Sequence, residues 1–595
     1  WTTVELSKAQ LQKLRDQEQR FKRRLHSVHR KFAIVPENSE FQLETKQCLH
    51  TDEQEMLEVF NADWGGDGYG TIQRVRLSPT ETMLAVTVKK DHHEETGCVL
   101  VHLGGVILCQ KALLLLDNVL SFEWATDDVL YYSTQETLRC LCVFRLHLSD
   151  SGVQTSLVSR SRDQRLVTIN CSSKISSGVC FFDSKTPFSF PTLIQSRQPG
   201  LLYHVEHSDN YLFILANTGA NQEYQLLRAP LASPSMPHWV PLFSAVPGTV
   251  IKDMELLQDR CVFTVKDSQC RLQIQTLTTQ EPYQLNTHQL PHWACDLSPQ
   301  RVGTVDRGSF AFLLSSPVHP PDGTMVSLTL LRMPALSELH KALLLLHVYG
   351  AYGVDLNMAF STEKRLLLED GWALAYCHVR GGGELGERGL AWRQAGSVLQ
   401  KRRGVEDLAA CIQTLHHLGV SHPALPALTA HSAGAVLVGA LCNHNPQLLK
   451  AVTLQAPFLD VLGTMQDPSL PDNIASYCPC HNIIPQLYPS MLIAAYSEDR
   501  RVPLSGVMKY VERLKKAIQV CTTRVSVNAR VPAVILDLQP GGDHFGPEDF
   551  HLSLNESARQ LAFLYTELGL DHQKTQQRPK ERSNNLTGKS HRPRD

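Results

Sequence analysis

Three side chains in the C-terminal part of the sequence have the types and the order that acyl-transfer chemistry requires. Ser432 stands in "ALPALTAHSAGAVLVGALC", between one apolar run and a second apolar run at helical spacing. Asp499 follows the apolar run "MLIAAYSE", and His544 follows "AVILDLQPGGD". A serine hydroxyl is a weak nucleophile at neutral pH. It needs a base to take its proton, a third group to orient that base, and donors for the developing oxyanion. Ser432 as nucleophile, His544 as base and Asp499 as acid would supply the first three. Glu498, adjacent to Asp499, competes for the acid's role, and Asp460 is an outside candidate. Each residue also has a plainer reading: a hydroxyl at a tight turn, a loop acid, a polar surface imidazole. Their shared placement after apolar runs, in the order serine, acid, histidine, favours chemistry. The N–H of Ala433 is the expected first oxyanion donor. "HVYGAYG" offers Tyr349 and Tyr352 near the second.

A scaffold must hold these groups at the ends of its elements. "ALLLLHVYG" and "WALAYCHVRG" are continuously apolar, as strands buried on both faces are. "VEDLAACIQTLHHLG" reads as an amphipathic helix ending at Gly419. The Ser432 strand and helix come next, then the strands "AVTLQAPF" and "SMLIAAYSEDRRVP". Leu504, Val507, Met508, Val511 and Leu514 mark the inner face of a helix. "AVILDLQPGGDH" is a strand and "LNESARQLAFLYTELG" the closing helix. Strand and helix alternate, which predicts a doubly wound, mostly parallel α/β sheet over residues 321–570. The α/β-hydrolase version of that sheet puts its nucleophile on a strained strand-to-helix turn. Small neighbours are needed there, and Ala430 and Ala435 stand where glycines are common.

Upstream the texture differs. Over 71–320, short apolar runs alternate with polar turns, with corresponding positions near Val75, Phe122, Val167, Val205 and Leu256. A recurrence of about 45 residues with several short strands per unit predicts a β-propeller, with a β-sandwich array as the alternative. Within residues 1–70, Leu11, Leu14, Phe21 and Leu25 recur at near-helical spacing in a basic, proline-free stretch. That is a surface helix covering another element, or a basic helix for a membrane or partner. Residues 571–595 are polar and basic, and disorder is expected.

At 595 residues the chain is too long for one core. A net charge of −2 argues against bulk electrostatic binding of nucleic acid. The 16 cysteines are scattered, and the close pairs Cys140/Cys142 and Cys478/Cys480 lack the CxxC repeats of a zinc site. Reduced thiols and a cytosolic setting are expected. No apolar run reaches the roughly 18–20 residues that span a bilayer, and no signal peptide is evident.

The strings "HVYGAYG", "HVRGGGELG", "SAGAVLVGALCNHNP", "QAPFLDVLGTM", "EDRRVPLSG" and "GGDH" together resemble the prolyl oligopeptidase family. The resemblance is dense from Asp322 to Leu570 and weak over the repeats. It implies a seven-bladed propeller beside an α/β-hydrolase domain against which the N-terminal segment packs. It matches Ser432 to the nucleophile, His544 to the base, Tyr349 to an oxyanion tyrosine and Arg501 to a substrate-binding arginine. Asp499 is the acid if the register is set on Arg501-Val502, Glu498 if it is set on "EDR". No metal or organic cofactor is implied. The implied activity is a monomeric serine hydrolase for short peptides, esters or thioesters, with the propeller restricting access. One branch of the family implies an alternative: a non-catalytic trafficking protein bound to a trans-Golgi clathrin-adaptor complex. Two departures stand out. "AHSAGA" replaces "GGSxGG". In "MQDPSLPDNIASYCPCHNI" only Asp472 to Ser476 occupy the place of a longer pocket-forming segment. The second departure predicts a shallow or collapsed pocket, and hence easier turnover of activated esters than of post-proline amides.

Overall fold

A computed structural model describes residues 3–32, two short strands within 42–50, and most of 69–570. Left out of that last span are 91–95, 103–113, 301–310, 323–342, 384–388, 421–425, 466–470, 524–530 and shorter turns. The 571–595 tail lies outside the described residues.

The C-terminal part is a six-stranded parallel sheet. Its elements are β1 (Leu344–Val348), α2 (Thr362–Glu369), β2 (Ala373–Cys377), α3 (Lys401–His417), β3 (Pro426–His431), α4 (Gly434–His444), β4 (Ala451–Gln455), α5 (Val461–Thr464), α6 (Pro471–Tyr477), β5 (Ser490–Tyr496), α7 (Leu504–Thr522), β6 (Val534–Gln539) and α8 (Phe550–Glu567). The strand order is β2-β1-β3-β4-β5-β6. Register puts Val348, Ala430, Leu454, Ile493 and Leu536 in one row. That row is buried in one core with Leu408 and Ile412 of α3, Leu437 of α4 and Val511 and Leu514 of α7. Leu345, Ala427, Ala451, Leu492 and Ile535 face the other way, into a second core with Leu366 of α2 and Leu561 of α8. Burial on both faces is why these strands read as unbroken apolar runs.

The first helix, α1 (Thr3–Phe32), completes that second core. Leu14, Phe21, Leu25 and Val28 are buried in it, and Phe21 stacks edge-on against Tyr565 of α8. Ser7 is fully buried and accepts hydrogen bonds from the Leu536 N–H (3.0 Å) and Lys515 Nζ (3.1 Å). Arg24 forks onto Asp370, and Glu18 pairs with Arg559. The apolar stripe of α1 is thus spent on the sheet, and these charges are spent on ion pairs.

Between them, the described residues form five four-stranded antiparallel meanders and one of three strands. Their first strands begin at Tyr69, Val119, Leu157, Tyr203, Thr249 and Asp296. Successive sheets pack face to face. Met83 and Leu100 of the first meet Phe122 and Trp124 of the second, and Phe213 and Leu226 of the fourth meet Phe263 and Val265 of the fifth. This is a propeller, with six blades among the described residues; the seventh that the resemblance implies is not among them. Ion pairs join it to the hydrolase domain. Lys89 pairs with Asp543 (2.8 Å), and Lys252 and Lys266 both pair with Asp355 (2.9 and 2.7 Å).

Candidate active site

Ser432 lies just beyond β3, beside the point where the strand order turns back through β1, which is where open α/β sheets bind ligands. Its φ is +51°, a left-handed backbone that costs a non-glycine residue energy and marks a strained turn. Three backbone bonds over-determine that conformation: Ser432 N–H to Gln455 O (2.9 Å), and Phe458 and Ala435 N–H to Ser432 O (3.1 Å each). Ala430 and Ala435 are buried in the core without disturbing the turn. The glycine the turn demands is Gly434, where a Cβ would stand 2.9 Å from Val348 O and 3.1 Å from Tyr349 Cα. The two alanines are therefore a tolerated departure.

His544 sits on the turn after β6, 4% exposed. Its Nε2 is 2.8 Å from Ser432 Oγ, and its Nδ1 is 2.9 Å from Asp499 Oδ2. A carboxylate only accepts, so Nδ1 carries the proton and Nε2 is left as the acceptor facing the hydroxyl. Asp499 Oδ1 takes the N–H groups of Arg501 (2.8 Å) and Val502 (2.9 Å), which fixes the carboxylate's plane. Glu498 is exposed, and its carboxylate meets Ser497 Oγ instead. Asp460 is engaged elsewhere, by Lys509 at 2.8 Å. Of the three candidate acids, the fold brings Asp499 to the imidazole.

A sequence model described as "Prolyl oligopeptidase family" matches residues 358–571. The prolyl endopeptidase-like protein of Gallus gallus is 39% identical, with 86% of this chain aligned to 78% of that one. The chain belongs to the prolyl oligopeptidase family. The prolyl endopeptidase-like protein of Homo sapiens is 38% identical, over 84% of this chain and 76% of its own. Among solved structures, oligopeptidase B from Leishmania major superimposes with a TM-score of 0.72 at 20% identity, covering 86% of this chain and 80% of its own. A post-proline cleaving enzyme from Rickettsia typhi gives 0.75 at 13%, over 96% of both chains. The fold is thus that of the family: propeller beside α/β hydrolase.

On the oxyanion side, Ala433 N–H has no acceptor among the described residues, and it heads α4. Tyr349 follows β1, with its backbone against Gly434. Burial pushes its phenol above the ordinary tyrosine range, and the Arg501 charge offsets part of that rise. Arg501 lies over the exposed Phe545 ring, 4.9 Å from its centroid, which sets both beside the His544 turn. The Tyr349 turn is held from behind by Lys401, a buried lysine whose Nζ donates to Gly350 O at 2.7 Å.

The short Asp472–Ser476 link lies inside α6. Ile474 and Tyr477 are buried in the hydrolase core, so the shortened segment is packed. Two further contacts escaped the sequence reading. His431, directly before Ser432, donates from Nε2 to the His544 backbone carbonyl (3.0 Å). Burial pushes its pKa below the ordinary histidine range, so it stays a neutral donor there. Asp543, directly before His544, is 1% exposed and holds Lys89 of the first propeller sheet. His431 stands in the quoted "AHSAGA" string; nothing local in the sequence could have flagged Lys89.

Proposed function

We propose that the chain is a serine hydrolase for short peptides and activated esters or thioesters, working through Ser432, His544 and Asp499. The observation that carries this reading is the unbroken line from Asp499 Oδ2 through the imidazole to Ser432 Oγ, at 2.9 and 2.8 Å. His544 Nε2 takes the hydroxyl proton as Oγ bonds to the substrate's carbonyl carbon. Asp499 stabilises the imidazolium that results. The carbonyl electron pair moves to oxygen, where the Ala433 N–H and the Tyr349 hydroxyl are the donors. Because burial raises its pKa, Tyr349 remains protonated and able to donate at neutral pH. Collapse of the intermediate expels the leaving group, which takes the proton from Nε2. Water activated by the same nitrogen then hydrolyses the acyl-serine.

The substrate preference rests on the short α6 segment. Amide cleavage depends on remote binding energy to hold the carbonyl at the nucleophile, and a smaller pocket supplies less of it. An activated ester needs less, because its leaving group departs readily. The propeller faces the triad through Lys89–Asp543, and in this reading it admits short or flexible substrates only. A fluorophosphonate should label the wild type and leave Ser432→Ala unlabelled; equal labelling would remove Ser432 from its role. Comparison of kcat/KM for a p-nitrophenyl ester, a thioester and a Z-Gly-Pro amide tests the preference. Amide turnover as efficient as ester turnover would defeat it.

A further inference from the structure

Outside the triad, four side chains with metal-binding donors converge where the loop after β4 meets the turn after α6. Asp460, Cys480 and His481 each bring a ligand atom within 4.8 Å of the other two. His481 Nδ1 is 3.5 Å from Asp460 Oδ1 and 3.2 Å from Cys478 Sγ. We propose that Asp460, Cys478, Cys480 and His481 hold one soft divalent cation, with zinc as the best fit.

Thiolate, imidazole and carboxylate together are a zinc donor set. Bonds of about 2.0–2.3 Å at tetrahedral angles place neighbouring donors roughly 3.3–3.8 Å apart. His481 already stands near that spacing from both Asp460 and Cys478, and Cys480 lies within 4.8 Å of Asp460 and His481, so a bound ion asks the two thiols to draw inward. An ordinary ion pair with Lys509 accounts for Asp460 Oδ2 (2.8 Å). Oδ1 also caps the Gly463 N–H (3.2 Å), but neither contact accounts for an imidazole and a buried thiol gathered beside the carboxylate. Charge supports the assignment. Two thiolates, one carboxylate and a dication sum to −1, and Lys509 lies against that carboxylate. Arg513, on the same helix α7, donates to Cys480 O at 3.0 Å. Both cations would oppose a bare ion, but they balance the anionic complex and orient its carboxylate from outside. The thiol protons leave to water on binding. Cys478 and Cys480 are buried and His481 is exposed, so an ion would enter from the His481 side. Once bound it would staple the nucleophile-side loop to the turn that ends the shortened segment.

The test uses the whole 595-residue chain, stripped with a chelator and titrated with Co²⁺. One equivalent should produce a thiolate-to-cobalt charge-transfer band with tetrahedral d–d absorption, which Zn²⁺ then abolishes. Cys480→Ser and His481→Gln should weaken binding at least about tenfold, whereas Cys521→Ser, a thiol outside the cluster, should leave it unchanged. Zn²⁺ should raise the Tm of the wild type and not that of His481→Gln. His481 is exposed, so that variant decides the matter if Cys480→Ser fails to fold. Absence of the band at one equivalent overturns the assignment. So does an undiminished band in His481→Gln, which would place the metal on others of the 16 cysteines.

Discussion

Replacing Lys89 by methionine should cripple the enzyme from the propeller side without changing any of Ser432, Asp499 and His544. Lys89 Nζ lies 2.8 Å from Asp543 Oδ2, and the two side chains are 12% and 1% exposed. Removing one partner of a buried pair costs about 3–5 kcal/mol, because the other charge is left without compensation. Asp543 would keep the Phe545 N–H on Oδ1 (2.8 Å), so the cost falls just below that range, roughly 2–3 kcal/mol. The cost falls on the closed arrangement, in which Asp543 is buried, and not on one that lets the turn reach water. At about 1.36 kcal/mol per decade, the ratio of molecules with His544 in place to molecules with it displaced falls roughly 30- to 150-fold. The assay is kcat/KM for a small ester together with the rate of fluorophosphonate labelling, which reports Ser432 activation without product release. Lys89→Met should lower both in parallel. Adding Asp543→Asn removes the orphaned charge and should restore most of the loss, a coupling that a double-mutant cycle isolates. Lys252→Met, which leaves Lys266 on Asp355, should cost far less. Activity of Lys89→Met within twofold of wild type, or a double variant no better than the single, would refute the reasoning.

Asp499→Asn should lower ester kcat on the order of 10⁴-fold without loss of fold, while Glu498→Gln should stay close to wild type; the reverse ranking in steady-state kinetics would reassign the acid. Gly434→Ala should cost about tenfold to a hundredfold in kcat by prying the Tyr349 backbone from α4, whereas Ala430→Gly should change little; a silent Gly434→Ala would mean that the close approach is not needed. Burial depresses Lys401 to about 8. Between that value and the roughly 10.4 of a free lysine, the unfolded chain binds more protons, so this group adds stability as pH rises. Lys401→Met, which has no such group, should therefore gain on wild type in urea unfolding as pH falls from about 10 to 8 and run parallel below. A pH-independent difference would show that the buried amine does not titrate there.

The unequal legibility of this chain follows from what holds each element in place. The parallel strands were readable because both faces are buried, so periodicity and composition agree. Ser432 was readable because one hydroxyl stands between two apolar runs, and His544 because it follows the last strand in the required order. The segment around Asp472–Ser476 was not readable as a helix. It has few residues, and Ile474 and Tyr477 gain their burial from distant partners that short-range pattern cannot see. The alanines of "AHSAGA" looked damaging because the string was judged as a whole. In three dimensions its demands separate: the positive φ falls on Ser432, and the close backbone approach falls on Gly434. What lay furthest from the sequence is the coupling between domains. Lys89 and Asp543 are 454 residues apart, and each is unremarkable among its neighbours in the chain. Yet Asp543 adjoins His544 as His431 adjoins Ser432, and both hold the His544 turn. Catalytic identity is thus written locally, in residues that a reader can find in order. In the proposed reading the setting of His544 depends as well on a contact between the propeller and the hydrolase domain, Lys89 to Asp543. Substitutions on the propeller side of that contact should therefore alter activity while leaving every recognisable motif intact.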